Sequence, residues 1–263
     1  MKKLYYFFLL SFGFIVNSCS DKGKADAIAA KMVEAQISGY YSEINQAENE
    51  LREWGRSLSS DESSEMEEYF KEALTENFMK AFDEELSDIA ENVRSRSYYS
   101  IERSYEKFSK KVDKIDEKYR RLAYASLPLY LSRSFSNELE EYAEAVLKAI
   151  KDGEKYQVGR GDKKFVETCE KISDKSSNVS NALKTAYRDV LKKYFEEYIK
   201  DNMKEYESLC KKGNKEEAEK WLKDYQKQID RILSDASDEV KAAFSEVNQS
   251  NVQDIMKQFE ESL

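Results

Sequence analysis

The chain has 263 residues, a formal charge of −9 from 52 acidic side chains against 43 lysines and arginines, and no histidine. That charge opposes phosphate backbones, and no Lys/Arg cluster with interleaved aromatics offers a local exception, so nucleic acid is excluded as a partner. The missing histidine removes the commonest general base and metal ligand together, which excludes Ser-His-Asp and Cys-His catalysis, histidine zinc sites and Glu-x-x-His di-iron sites.

In chain order, Lys2 and Lys3 come first, followed by an apolar run of 13 residues from Leu4 to Val16 and then a small, polar stretch into Cys19. This is the layout of a secretory signal peptide over residues 1–18. A permanent span needs about 20 apolar residues, so the run is too short to remain in a bilayer. Val16-Asn17-Ser18-Cys19 resembles the lipobox of bacterial lipoproteins, with Asn17 where a small or apolar residue is usual. The resemblance implies that Cys19 is acylated and becomes the first mature residue, held to a membrane of the bacterial cell envelope with residues 19–24 as a tether. Each buried methylene of such an anchor adds about 0.8 kcal/mol. Without lipidation the same layout is an ordinary signal peptide cut near Ser18. Removing 1–18, which carries two lysines and no acid, takes the net charge from −9 to −11.

Beyond the leader, turn-forming residues are scarce. Pro128 is the only proline, and three of the eight glycines fall between 153 and 161. Sheets need such residues at short intervals, so long helices are expected. Ala30, Val33, Ile37, Tyr40, Ile44, Ala47, Leu51, Trp54 and Leu58 alternate at spacings of three and four, the seam of one long helix. Ser59 to Asp61 break it, and a second helix turns Met66, Phe70, Leu74, Phe78, Ala81, Ile89 and Val93 inward. A further seam, Ile101, Tyr105, Phe108, Val112, Ile115, Tyr119 and Leu122, is expected to stop near Pro128. Leu139, Tyr142, Val146 and Ile150 give a shorter helix closed by Gly153.

The stretch 153–161 reads as a loop between a first helical part, 25–152, and a second, 162–263. In the second part Phe165, Val166, Cys169 and Ile172 mark a short helix. Val179 through Leu209 mark a long one, Ala218 to Ile232 another seam, and Phe244 and Phe259 two short terminal helices. The expected fold is all-α, an elongated antiparallel multi-helix bundle with coiled-coil-like seams. Its 18 tyrosines and 13 phenylalanines are wide for a two-stranded coil and suit three or more helices.

Cys169 and Cys210 are the thiols that remain after Cys19, and an oxidising envelope would allow them to pair. Against this, a turn near Ser176 leaves them at helix positions about 10 and 50 Å from it, while a disulfide needs Cα atoms within about 7 Å. Arg160-Gly161-Asp162 spells the tripeptide of integrin ligands, and is equally a polar turn with Asp162 capping the next helix. Lys212 to Ala218 resembles the opening of a tetratricopeptide helix, but no second copy is visible at the required period. The carboxylate pairs Asp83-Glu84-Glu85, Glu140-Glu141, Glu196-Glu197 and Glu216-Glu217 are interspersed with Lys and Arg, as solvated helix faces are. No calcium loop, P-loop or dinucleotide fingerprint occurs, so no metal or cofactor is expected.

These observations lead to a membrane-anchored envelope lipoprotein whose body is a non-catalytic helical binding or structural module for a protein partner. Three alternatives stand beside it: a carrier or sensor holding a small apolar or aromatic ligand inside the bundle, an adhesin displaying the 160–162 loop, and a hydrolase acting through carboxylates or a tyrosine.

Overall fold

A computed structural model describes residues 21–58 and 60–260, and among these every regular element is helical. Thirteen helices run in order, and the all-α class is as the turn-poor sequence implies. They form two compact units. One takes the described residues up to Asp88 together with Glu106–Leu127; the other takes Ile89–Tyr105 together with the chain from Pro128 onward. The division does not fall at 153–161.

The first unit opens with α1 (Asp21–Ser38) and α2 (Tyr41–Ser57), followed by α3 (Ser60–Ala81) and the start of α4 (Asp83–Arg94). Residues 21–24, part of the stretch expected as a tether, are helical in α1. Ala25, Ile28, Ala29, Met32, Val33 and Ala35 form its buried face. Their small side chains let α1 approach α3, which buries Met66, Phe70, Leu74 and Phe78.

The single seam expected over 30–58 is broken. Gly39 adopts φ +69, a conformation nearly free for glycine and costly for other residues, and α2 restarts in its own phase. Ala30 and Ile37 lie off the buried face of α1 and are exposed, as is Tyr40 in the turn, while Ala47 and Trp54 of α2 are buried. One non-helical residue, Phe82, separates α3 from α4, although its N–H still reaches Phe78 O at 3.0 Å. The offset buries Phe82 and exposes Ala81, reversing the expected order.

The stripe from Ile101 to Tyr119 is buried where expected at Phe108, Val112, Ile115 and Tyr119, but it belongs to two helices, α5 (Tyr98–Val112) and α6 (Glu117–Ser134). The turn between them is tied down. Asp116 N–H donates to Gln36 Oε1 at 3.0 Å, and Arg120 Nη2 donates to the carbonyls of Asp113 and Ile115, each at 3.1 Å. Pro128 does not end the helix as expected. It lies inside α6, so the lost N–H is a local cost outweighed by the burial of Leu127 and Leu131 on either side.

The second unit contains α7 (Ser136–Lys151), α8 (Lys155–Gly161), α9 (Lys163–Ser173), α10 (Ser177–Asn202), α11 (Lys204–Lys211), α12 (Lys215–Ile232) and α13 (Asp238–Glu260). Its spine is α10, against which α7, α9 and α13 pack. Ser176 caps α10, accepting the Val179 N–H. Gly153 closes α7 at φ +69, and its N–H donates to Ile150 O at 3.1 Å.

The expected 153–161 loop is mostly the helix α8. Its two glycines do not turn the chain; they permit close contact. A Cβ on Gly159 would sit 2.5 Å from Asp235 O, and one on Gly161 2.8 Å from Val146 Cγ2. The long helix expected through Leu209 is interrupted at Met203, and the two short C-terminal helices are the one helix α13.

Candidate functional site

Cys19 lies outside the described residues. Cys169 and Cys210 are separate, buried, free thiols. Burial pushes the Cys169 thiol up to about 12, so it stays protonated and is not a ready nucleophile. Asp83, Glu84 and the pairs at 140–141, 196–197 and 216–217 are exposed, as solvated faces are. Glu85 is the exception, buried and held by Lys111 Nζ at 2.5 Å. Among the described residues no group of three or more His, Cys, Asp or Glu could hold a metal ion, and no helix is long and apolar enough to cross a membrane.

Of the Arg160-Gly161-Asp162 stretch, Arg160 is exposed and Asp162 is buried. Arg160 lies over the Tyr156 ring at 4.7 Å, while Asp162 is only 1 % exposed and its Oδ2 accepts from Ser237 Oγ at 2.6 Å. Asp162 thus fastens the α8–α9 junction to the start of α13. Around it lie Tyr187, Cys169 and Glu239, the last held by Lys184 at 3.2 Å. The Tyr187 hydroxyl is buried without a hydrogen bond of good geometry, yet it and Asp162 perturb one another. Two carboxyls therefore share a buried region, a grouping the sequence did not suggest. With Asp162 and Glu239 both buried and bonded within the protein, the group is an interhelical lock rather than a place for a substrate.

Burial, only partly offset by the Ser237 hydroxyl, raises the Asp162 carboxyl above its ordinary 3.8. A carboxyl raised in the fold holds its proton more tightly folded than unfolded. Its contribution is therefore most favourable below pH 3.8 and declines as pH rises through the folded value. Asp162→Asn, which keeps an acceptor for Ser237, is expected to be more stable than wild type at pH 7. The difference should shrink toward pH 3.8, measured by urea unfolding at both values. Equal destabilisation at both would show that the charge is needed.

The inward rings mostly fill space against one another. Phe165 meets Tyr187 with centroids at 4.3 Å, Phe195 meets Phe244 at 5.3 Å, and Tyr206, Trp221 and Tyr225 stack in series at 6.0 and 5.1 Å. Such pairing is what ring quadrupoles favour in a packed interior, so these rings give no support to a ligand held inside the bundle.

Four tyrosine rings face outward among the described residues: Tyr99, 85 % exposed under Lys175, Tyr156 under Arg160, and a neighbouring pair at the α1–α2 turn. Tyr40 is 65 % and Tyr41 78 % exposed, and Ile37 stands beside them at 42 %. The turn is firmly made. Gly39 N–H reaches Ala35 O at 3.0 Å, Ser38 Oγ donates to Glu43 Oε2 at 2.6 Å, and Tyr40 O accepts the N–H groups of Glu43 and Ile44 at 3.0 and 3.1 Å. Tyr40 is the N-cap of α2 with extended backbone (φ −79, ψ 115) and no capping side-chain bond.

Ile37 also lines a depression of about 100 Å³ with Gln36, Ala81, Phe82, Lys111, Lys114 and Ile115. The turn itself presents an apolar side chain and two phenol rings on a fixed backbone. These are the side-chain types from which protein–protein contacts draw most of their energy. Sequence reading placed Ile37 and Tyr40 in a seam; the one available signal was Gly39 within an otherwise glycine-poor helix.

No protein-family model, no curated protein and no solved structure matches this chain.

Proposed function

We propose that the chain is a lipid-anchored protein of the bacterial cell envelope, acting without catalysis as a helical module that binds a protein partner through the α1–α2 turn. The observation that carries this reading is the identity of the N-cap. Ser, Thr, Asp or Asn there would stabilise α2 by about 1 kcal/mol, yet the position holds Tyr40, which caps nothing and, with Tyr41, extends a ring into solvent. Phe135 also caps nothing at α7 but is buried, so it is the exposure of Tyr40 that sets it apart. The reading also draws on the lipobox-like Val16 to Cys19.

Tyr40→Asp separates the two roles of the position. It is expected to raise the stability of the chain by about 1 kcal/mol in chemical denaturation while abolishing partner capture. Capture is read in intact cells from a photo-crosslinking residue placed at Tyr41. The same protein partner should be recovered reproducibly from wild type, and metabolic fatty-acid labelling should disappear in Cys19→Ala. A Tyr40→Asp chain that is stabilised and still cross-links as wild type would remove the turn from the proposal. A chain free of acyl mass at Cys19 would remove the anchor.

A further inference from the structure

The second unit carries a ridge between two grooves. Exposed Gln249, Gln253 and Met256, spaced as one face of α13, form the ridge. On one flank a groove of about 780 Å³ opens between α13 and α12, with half-buried Leu222 and Val252 in it. On the other flank a groove of about 710 Å³ opens between α13 and α10. A ridge of side chains fits a groove between helices, which is the general rule of helix packing. Here ridge and groove lie on the same surface.

The chemistry of that surface is self-complementary. The α12 side of the first groove presents Glu219 and Asp230 against Lys223 and Lys227, a balanced set on a chain of charge −9. The other groove is acidic, with Glu196, Glu197, Glu246 and Asp254 against Lys192 and Lys200, so the α12–α13 groove is the one that does not repel a second copy. Gln226, Asn248, Gln249 and Gln253 each carry both donor and acceptor, so a strip of them satisfies an identical strip turned end for end. A two-fold interface requires this of its patch. The α12–α13 groove has ten lining residues, fewer than the roughly 20–30 a side of a stable interface, which is the scale of a weak, reversible pairing.

A separate observation marks the groove as incomplete. Asn248 is 7 % exposed and gives an amide hydrogen to Gln226 Oε1 at a long 3.5 Å, while its Oδ1 is buried without a donor. A buried acceptor left unpaired costs about 1–3 kcal/mol, and the terminal amide torsion is soft enough to turn it outward. An amide from a second copy's ridge would satisfy it.

We propose that this face is a self-association surface: α13 of one copy lies in the α12–α13 groove of a second, and receives that copy's α13 in return. The pairing is independent of the α1–α2 turn. Sedimentation of the full chain in detergent should show a monomer–dimer equilibrium between about 1 and 100 μM, within the affinities spanned by interfaces of this size. Val252→Glu should weaken it at least tenfold, because a symmetric interface meets each introduced charge twice. Gln253→Glu, at an exposed position, should do the same without disturbing the fold if Val252→Glu proves unstable. Gln253→Cys should form a covalent dimer with a short thiol cross-linker far faster than Glu138→Cys, exposed on α7, since Cys169 and Cys210 are buried. A full chain that stays monomeric over that range, a dimer indifferent to both glutamates, or a Gln253→Cys chain that couples only to other proteins would overturn the proposal.

Discussion

Replacing Gly159 by alanine is expected to cost 1–3 kcal/mol, the opposite of what the same change does in an open helix. Glycine within a helix is ordinarily about 1 kcal/mol worse than alanine, because the backbone loses more freedom on folding. At Gly159 the gain is cancelled by contact. The added Cβ would meet the Asp235 carbonyl oxygen at 2.5 Å and its carbonyl carbon at 3.3 Å, and backbone cannot swing aside as a side chain can. Either α8 or the turn after α12 must shift. Gly55 is the internal comparison: it lies in α2 with nothing within 4 Å of its would-be Cβ. Gly55→Ala should stabilise by up to about 1 kcal/mol. Urea unfolding of both variants checks the pair, and a Gly159→Ala chain at least as stable as wild type would refute the close approach of α8 to Asp235.

Phe82→Ala should be costlier still, about 3–5 kcal/mol. The ring is 1 % exposed, lies parallel to Phe78 at 6.1 Å and meets the Phe108 ring edge-on at 5.6 Å. Removing it empties the centre of a ring cluster drawn from three segments of the first unit. Ala81→Phe, one position earlier, should not compensate, because that position faces solvent. Thermal and chemical melts of both variants test this. A loss below 1 kcal/mol for Phe82→Ala would mean that the ring is not central to that core.

The helical class was legible because it rests on composition and period, both local properties. Phe108, Val112, Ile115 and Tyr119 lie in the core as their spacing indicates. The interruptions within that period were not legible. The seam continues in phase across the turn between Val112 and Glu117, where Asp116 finds its acceptor in Gln36, 80 residues earlier. At Gly39 the period is the same on both sides although the buried face is not, so spacing alone carried Ile37 and Tyr40 inward. Glycine was read as loop at 159 and 161 because a sequence cannot tell conformational need from the need for room.

The polar lock at Asp162 was hidden for the same reason as the turn at Asp116, since its partner Ser237 is 75 residues away. The exposed rings of the α1–α2 turn were visible as residues but not as a surface. Tyr is indifferent to burial, and an uncapped N-cap does not decide it, since Phe135 holds one and is buried while Tyr40 is exposed.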